Sequence, residues 1–213
     1  PELVAGRLGL DFANTLSGRG GPGPRERLGD YAALLAWGRK AALLSEAEAS
    51  ALAATAAAEP AAADALAERA RALREALVRL FLAAIEGRPP EVEPLAILNR
   101  ELAEAPPRRR LDWSEEGFAW RSETGQPAAL AQPLWPLLWS AAELLASGET
   151  DRIQICAGDD CGWLFYDASR NRTRRWCSMA DCGNVAKARR HYARRRRSSK
   201  RVTGAAAAES GSS

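Results

Sequence analysis

The sequence predicts an α+β protein of two parts: a mainly helical N-terminal domain with a small β-hairpin, then a small cysteine-stapled module ending in a basic helix. Three observations carry this reading. Apolar residues recur at helical spacing through most of residues 28–147, and only in 108–123 does the period fall to two. All four cysteines lie between positions 156 and 182, in two pairs of identical C-x4-C spacing. Charge is also divided along the chain: residues 1–150 hold 16 Lys/Arg and 21 Asp/Glu, net −5, whereas residues 151–202 hold 14 and 5, net +9. The divisions fall at 1–150 for the larger domain, 151–201 for the cysteine module and 202–213 for a low-complexity tail, expected to be disordered.

The elements follow in order. Residues 8–16, LGLDFANTL, read as a short strand or a first helical turn, with Asp11 and Asn14 bonding local backbone. Glycine and proline are too dense in SGRGGPGPRER for regular structure, so 17–27 is expected to be a loop. Leu28, Tyr31, Leu34 and Leu35 have helical spacing. Ser45 and Glu48 form a capping box that opens an alanine-rich helix. Pro60 suits the first turn of a helix running to about Glu86, striped by Leu66, Leu73, Leu77, Leu80, Phe81 and Ile85 and stopped by Gly87. A shorter helix covers about 92–104. Leu111 and Trp113 on one arm, Phe118 and Trp120 on the other, alternate around Ser-Glu-Glu-Gly as a hairpin. Helical spacing returns over 129–147, where Trp135 and Trp139 are core residues, and 152–156 alternates as a strand. Apolar residues make up 46% of the chain, but alanine supplies much of that, so Leu, Trp and Phe must carry the packing.

Cys156, Cys161, Cys177 and Cys182 are the candidate metal ligands. Two close pairs of thiolates complete a tetrahedron, the structural zinc arrangement, with Gly158, Gly162 and Gly183 letting backbone approach sulfur. One structural Zn2+ is therefore expected, in a knuckle or treble-clef-like module too small to fold unaided. A closed site leaves no position for substrate, and the lone histidine, His191, has no carboxylate orienter, so no catalytic residues are nominated. No apolar run of eighteen residues and no export signal is visible. A cytoplasmic, reducing setting is expected, which disfavours the three disulfide pairings.

The same module is strongly basic. Arg170, Arg172, Arg174 and Arg175 lie between the cysteine pairs, and Asn184, Lys187, Arg189, Arg190, Arg194 and Arg197 fall on a helix after the last. Lys187, Arg190, Arg194 and Arg197 share one helical face. Guanidinium forks suit phosphate and the guanine edge, so these ten residues are the nucleic-acid candidates, with DNA favoured over RNA. Trp176 is expected to pack over the knuckle.

The run Cys156-x4-Cys161, Phe165-Tyr166-Asp167, Ser169-Arg170-Asn171-Arg172, Arg175-Trp176-Cys177-Ser178-Met179 and Cys182-Gly183-Asn184 resembles the bacterial CGNR-type zinc finger family. Leu10-Asp11-Phe12-Ala13-Asn14-Thr15 is similar to the opening of its usual companion, the ABATE domain. The resemblance implies a zinc-binding, stress-responsive transcription regulator whose N-terminal domain senses a ligand, with the four cysteines as metal ligands. Val185 stands where that family's name motif has arginine, removing one DNA contact or one brace. Arg7, Asp11 and Asn14 are the first candidates for an effector site. An RNA-binding or ribosome-associated protein and a small-molecule binder with purely structural zinc are the competing readings, and a homodimer is compatible with both domains.

Overall fold

The computed structural model describes residues 2–106, 109–114, 117–122 and 129–192. Helix α4 (Pro60–Ile85) is the spine, because Leu66, Leu73, Leu77, Leu80 and Phe81 bury one continuous stripe along it. Around it pack α2 (Tyr31–Lys40), α3 (Glu46–Ala58), α5 (Val92–Glu104) and α6 (Trp135–Ala146). Their starts are set by local chemistry. Asp30 accepts a hydrogen bond from the Ala33 amide at 2.7 Å, so α2 begins three residues later than the apolar spacing alone suggests. The Ser45–Glu48 capping box forms as expected at the head of α3.

Residues 8–13 form a helix, α1 (Leu8–Ala13), rather than a strand. It runs through the interior: Leu10 and Phe12 have no exposure, and Phe12 meets Trp37 edge-on at 5.2 Å between ring centres. A Cβ on Gly9 would stand 2.9 Å from that of Ala141, so glycine there lets α1 lie directly against α6.

The stretch 17–27 is not wholly irregular. Strand β1 (Leu16–Ser17) pairs antiparallel with β2 (Arg25–Glu26), and the intervening glycine-rich loop is held by Arg19, which grips Glu75 of α4 through two bonds of 2.6 and 3.0 Å. Two-residue strands carry no legible period, which is why the pattern hid them. Beside this pair, the buried Arg74 forks onto Glu26 at 2.6 and 2.8 Å. Burial pushes the Glu26 carboxyl up, but the Arg74 guanidinium and two backbone amides outweigh it and hold the pKa at about 2.

The hairpin β3 (Arg109–Ser114) and β4 (Gly117–Ser122) matches the expected register, pairing Leu111 with Trp120 and Trp113 with Phe118. Leu111 and Trp113 are exposed. A third antiparallel pair, β5 (Ile153–Ile155) with β6 (Leu164–Tyr166), brackets the first two cysteines. The last described residues, 184–192, form α7. No helix among the described residues is long and apolar enough to cross a membrane.

The pair β5–β6 belongs to the same core as the helices. Ile153 and Phe165 have no exposure, and Leu164 is buried among them. Asn14, at the end of α1, completes the edge of β6: its amide donates to the Leu164 carbonyl and accepts from the Leu164 amide, both at 2.8 Å. Here a side chain acts as one more rung of the sheet, 150 residues away, where sequence suggested only local bonding. Tyr166 continues the contact by donating its amide to the Ala5 carbonyl at 2.8 Å.

Two outcomes follow. Asn14→Leu preserves volume but leaves a buried amide and carbonyl unpaired, so urea unfolding should lose about 1–3 kcal/mol for each group. For Glu26 the folded pKa lies below the unfolded one, so its stabilisation is present above about pH 4.5 and fades as pH falls toward 2. Over that window the stability of wild type should fall more steeply than that of Glu26→Gln, read as the difference between their urea midpoints.

Candidate metal centre and basic surface

The four cysteines converge. Their sulfurs all lie within 4.8 Å of one another, with Cys161–Cys177 at 3.6 Å and Cys177–Cys182 at 3.7 Å. A zinc ion 2.3 Å from each of four sulfurs sets their separation at about 3.8 Å, so the cluster has the size of a closed zinc tetrathiolate. The path between β5 and β6 supplies the first pair. A turn over Met179–Gly183, capped by the Ser178 hydroxyl, supplies Cys182 and leads into α7.

Close backbone approach makes room for the sulfurs. A Cβ on Gly158 would stand 3.1 Å from the Cys182 sulfur, so only glycine leaves that face open. The Cys177 amide points at the Cys156 sulfur at 3.3 Å. Hydrogen bonds from Cys161, Cys177 and nearby backbone amides draw the Cys156 thiol down, whereas the hydrogen bond to Cys156, with burial behind it, pushes Cys161 and Cys177 up; burial chiefly raises Cys182. Four sulfurs this close cannot all ionise on their own. A divalent cation is the partner that lets them. The donor set, the separations and the glycine cradle all fit zinc held for structure.

Buried polar groups build the return from β6 to Cys177. Asp167 accepts from the Ser169 amide at 2.8 Å and the Arg174 amide at 2.9 Å, and these bonds together with the Arg174 charge outweigh burial and hold its carboxyl low. Arg174 turns inward. Its guanidinium donates to the carbonyls of Val4 (2.7 Å), Trp176 (3.1 Å), Tyr166 (3.3 Å) and Cys177, and it covers the Phe165 ring at 4.5 Å. It ties the first residues of the chain to the metal turn.

The ten nucleic-acid candidates therefore separate. Arg174 is a brace, and the Asn184 side chain donates to the Ala180 carbonyl at 3.0 Å. Arg172 pairs with Asp151, and Arg189 pairs with Asp159, pinning α7 to the first cysteine turn. Arg170, Arg175, Lys187 and Arg190 are exposed and have no carboxylate partner among the described residues. Arg194 and Arg197 lie outside the described residues. Trp176 is half-buried with Arg175 and Arg190 near its ring, at 5.4 and 6.0 Å, so it packs and carries two cations at once. Val185 is exposed on α7.

The three effector candidates lie close to one another, near the start of the chain and β6. Asp11 is buried and accepts from the Ala5 amide at 2.9 Å; burial raises its carboxyl against that bond and the Arg174 charge. Asn14 is engaged by Leu164, and Arg7 lies over the Tyr166 ring at 3.8 Å. The structure places all three at the seam between α1 and β6. Sequence reasoning missed β6 and the inward turn of Arg174, because a three-residue strand and one arginine among many carry no distinguishing pattern.

Residues 6–148 match the family model ABATE, described as "Putative stress-induced transcription regulator", and residues 152–195 match that of the CGNR zinc finger. A comparison with curated proteins finds no match.

Because β6 is shared, metal loss should reach beyond the cysteine module. Chelation, or Cys177→Ser, should expose the amides of β5, β6 and α1 to hydrogen exchange while α4 and α5 stay protected. Zinc contributes about 10–16 kcal/mol in small modules, ample to account for such a loss. Unchanged exchange after complete removal of metal would count against a structural site.

Proposed function

The chain belongs to the ABATE family, and from that premise we propose that it is a zinc-dependent, DNA-binding transcription regulator of the cytoplasm, acting without catalysis of its own. One zinc ion sits in the Cys156–Cys161–Cys177–Cys182 cluster and shapes the module. The observation that supports DNA as partner is the set of unpaired cations around that centre. Arg170 and Arg175 on the loop, with Lys187 and Arg190 on α7, stand exposed with no acid to neutralise them among the described residues. Cations in that state concentrate counterion-like partners, and a phosphate backbone is the partner that releases the most ions on binding.

The basic module is built into the core, so the whole chain is the proper reagent. Full-length protein should bind duplex DNA with an affinity that falls steeply as salt rises. Arg170→Ala should weaken all sequences similarly and lower the salt slope by about one, as loss of a single phosphate contact requires. Structured RNA added as competitor separates the second reading: displacement of DNA at equal or lower concentration would favour RNA. No binding to any duplex at low salt would refute the proposal.

A further inference from the structure

A cleft of about 970 Å³ takes in the open side of the metal centre, with Cys161, Cys177 and Cys182 among its lining, and its other walls come from both parts of the chain. Arg27 and Lys40, the last residue of α2, line it from the helical side. Trp163, Arg175, Trp176 and Arg190 line it from the cysteine module. The size lies at the upper end of the range for small-molecule sites. None of the four cations has a carboxylate partner among the described residues, whereas the acids Asp159 and Asp160 on the same wall are engaged or approached by Arg189. Glu2, Asp181 and the metal-ligand thiolates of Cys161, Cys177 and Cys182 are the other anionic groups of the wall. The Trp163 indole N–H is buried with no hydrogen-bond partner, a state that costs free energy unless something accepts from it. The Trp176 ring offers an aromatic surface with two guanidiniums beside it.

The junction that forms the cleft is close-fitted. The glycine-rich loop between β1 and β2 lies on the first cysteine turn. A Cβ on Gly162, whose φ is +65°, would stand 2.7 Å from the Gly20 nitrogen. Ion pairing of Arg19 to Glu75 fixes the other side of that loop to α4. The cleft is thus a formed cavity between two packed surfaces.

We propose that this cleft is an effector site for a small planar aromatic anion, whose ring lies against Trp176 and whose charge is met by Lys40, Arg175 and Arg190. The regulatory half rests on the DNA reading above: Arg175 and Arg190 belong to both surfaces, so effector and DNA exclude one another. Each therefore raises the other's apparent Kd in proportion to its own concentration over its own Kd.

The test uses full-length, zinc-loaded protein with 8-anilinonaphthalene-1-sulfonate as the probe. Saturable one-to-one binding is expected, with quenching of tryptophan emission. Binding should weaken about tenfold in Lys40→Ala and in Arg175→Ala, the loss of one charge-assisted contact in each. Lys40 is remote in sequence from the cysteines, so its variant reports on the cleft even if Arg175→Ala loses metal. Displacement by adenosine monophosphate points to a phosphate-bearing ligand and displacement by benzoate to a carboxylate; displacement by neither overturns the site. Absence of saturable binding, or binding indifferent to both substitutions, also overturns it. The probe should raise the apparent Kd for DNA linearly with its concentration and without a plateau, and DNA should do the same to the probe, as competition for one site requires. Variant-sensitive probe binding in a protein that binds no DNA keeps the cleft and refutes the regulator. Simultaneous binding without mutual effect refutes the competition.

Discussion

Four sulfur atoms must meet within one coordination sphere, and most of the second half of the chain is shaped by that requirement. Strands β5 and β6 deliver Cys156 and Cys161 at their open end. The chain then needs a return path that ends with Cys177 beside them, and Asp167 and Arg174 build it chiefly with bonds to backbone. The turn that carries Cys182 launches α7. Since β6 also lies on α1 through Asn14, and Phe165 fills the common interior, the metal centre is fastened to the core. Its ion closes the far end of a sheet whose near end the helices hold.

This attachment changes how the basic charge should be weighed. By composition the last quarter of the chain is a polycation, and each arginine looks interchangeable. Their environments differ sharply. Arg174 satisfies four carbonyls and covers an aromatic ring, so its charge serves the fold. Arg172 and Arg189 face carboxylates across short gaps, arrangements worth little at an exposed surface yet enough to lower the free positive charge there. Among the described residues the cations left over are Arg170, Arg175, Lys187 and Arg190, and two of these, Arg175 and Arg190, lie beside Trp176.

What the sequence revealed and what it hid follow from range. Features written in adjacent residues were legible: the Ser45–Glu48 box, the stripe of α4, the alternation of β3 and β4, and the two cysteine pairs. Features that depend on partners far along the chain were not. Asp11 and Asn14 looked like turn formers because their short polar side chains usually bond locally, yet Asn14 serves a strand 150 positions away. Strand β6 is three residues long with both faces covered, so it shows neither alternation nor length. The short pairing of β1 with β2 sits amid glycines and prolines and depends on ion pairs reaching α4.

The close junction between the helical domain and the metal module also limits how a signal could pass between them. A loosely tethered finger could respond to an effector by swinging; one whose strand is buried in the helical domain has little freedom to do so. Coupling in such an architecture is most easily achieved by competition for shared side chains, which needs no moving part. The position of Arg175 and Arg190 meets that condition, since both border the cleft and both face solvent beside α7. Arg27 and Lys40 complete the cleft from the other domain, so an occupant held by all four would read the two domains as a single surface. The same packing that fastens the cysteine cluster to β6 would then make the effector's charge, rather than a change of shape, the quantity that DNA has to displace.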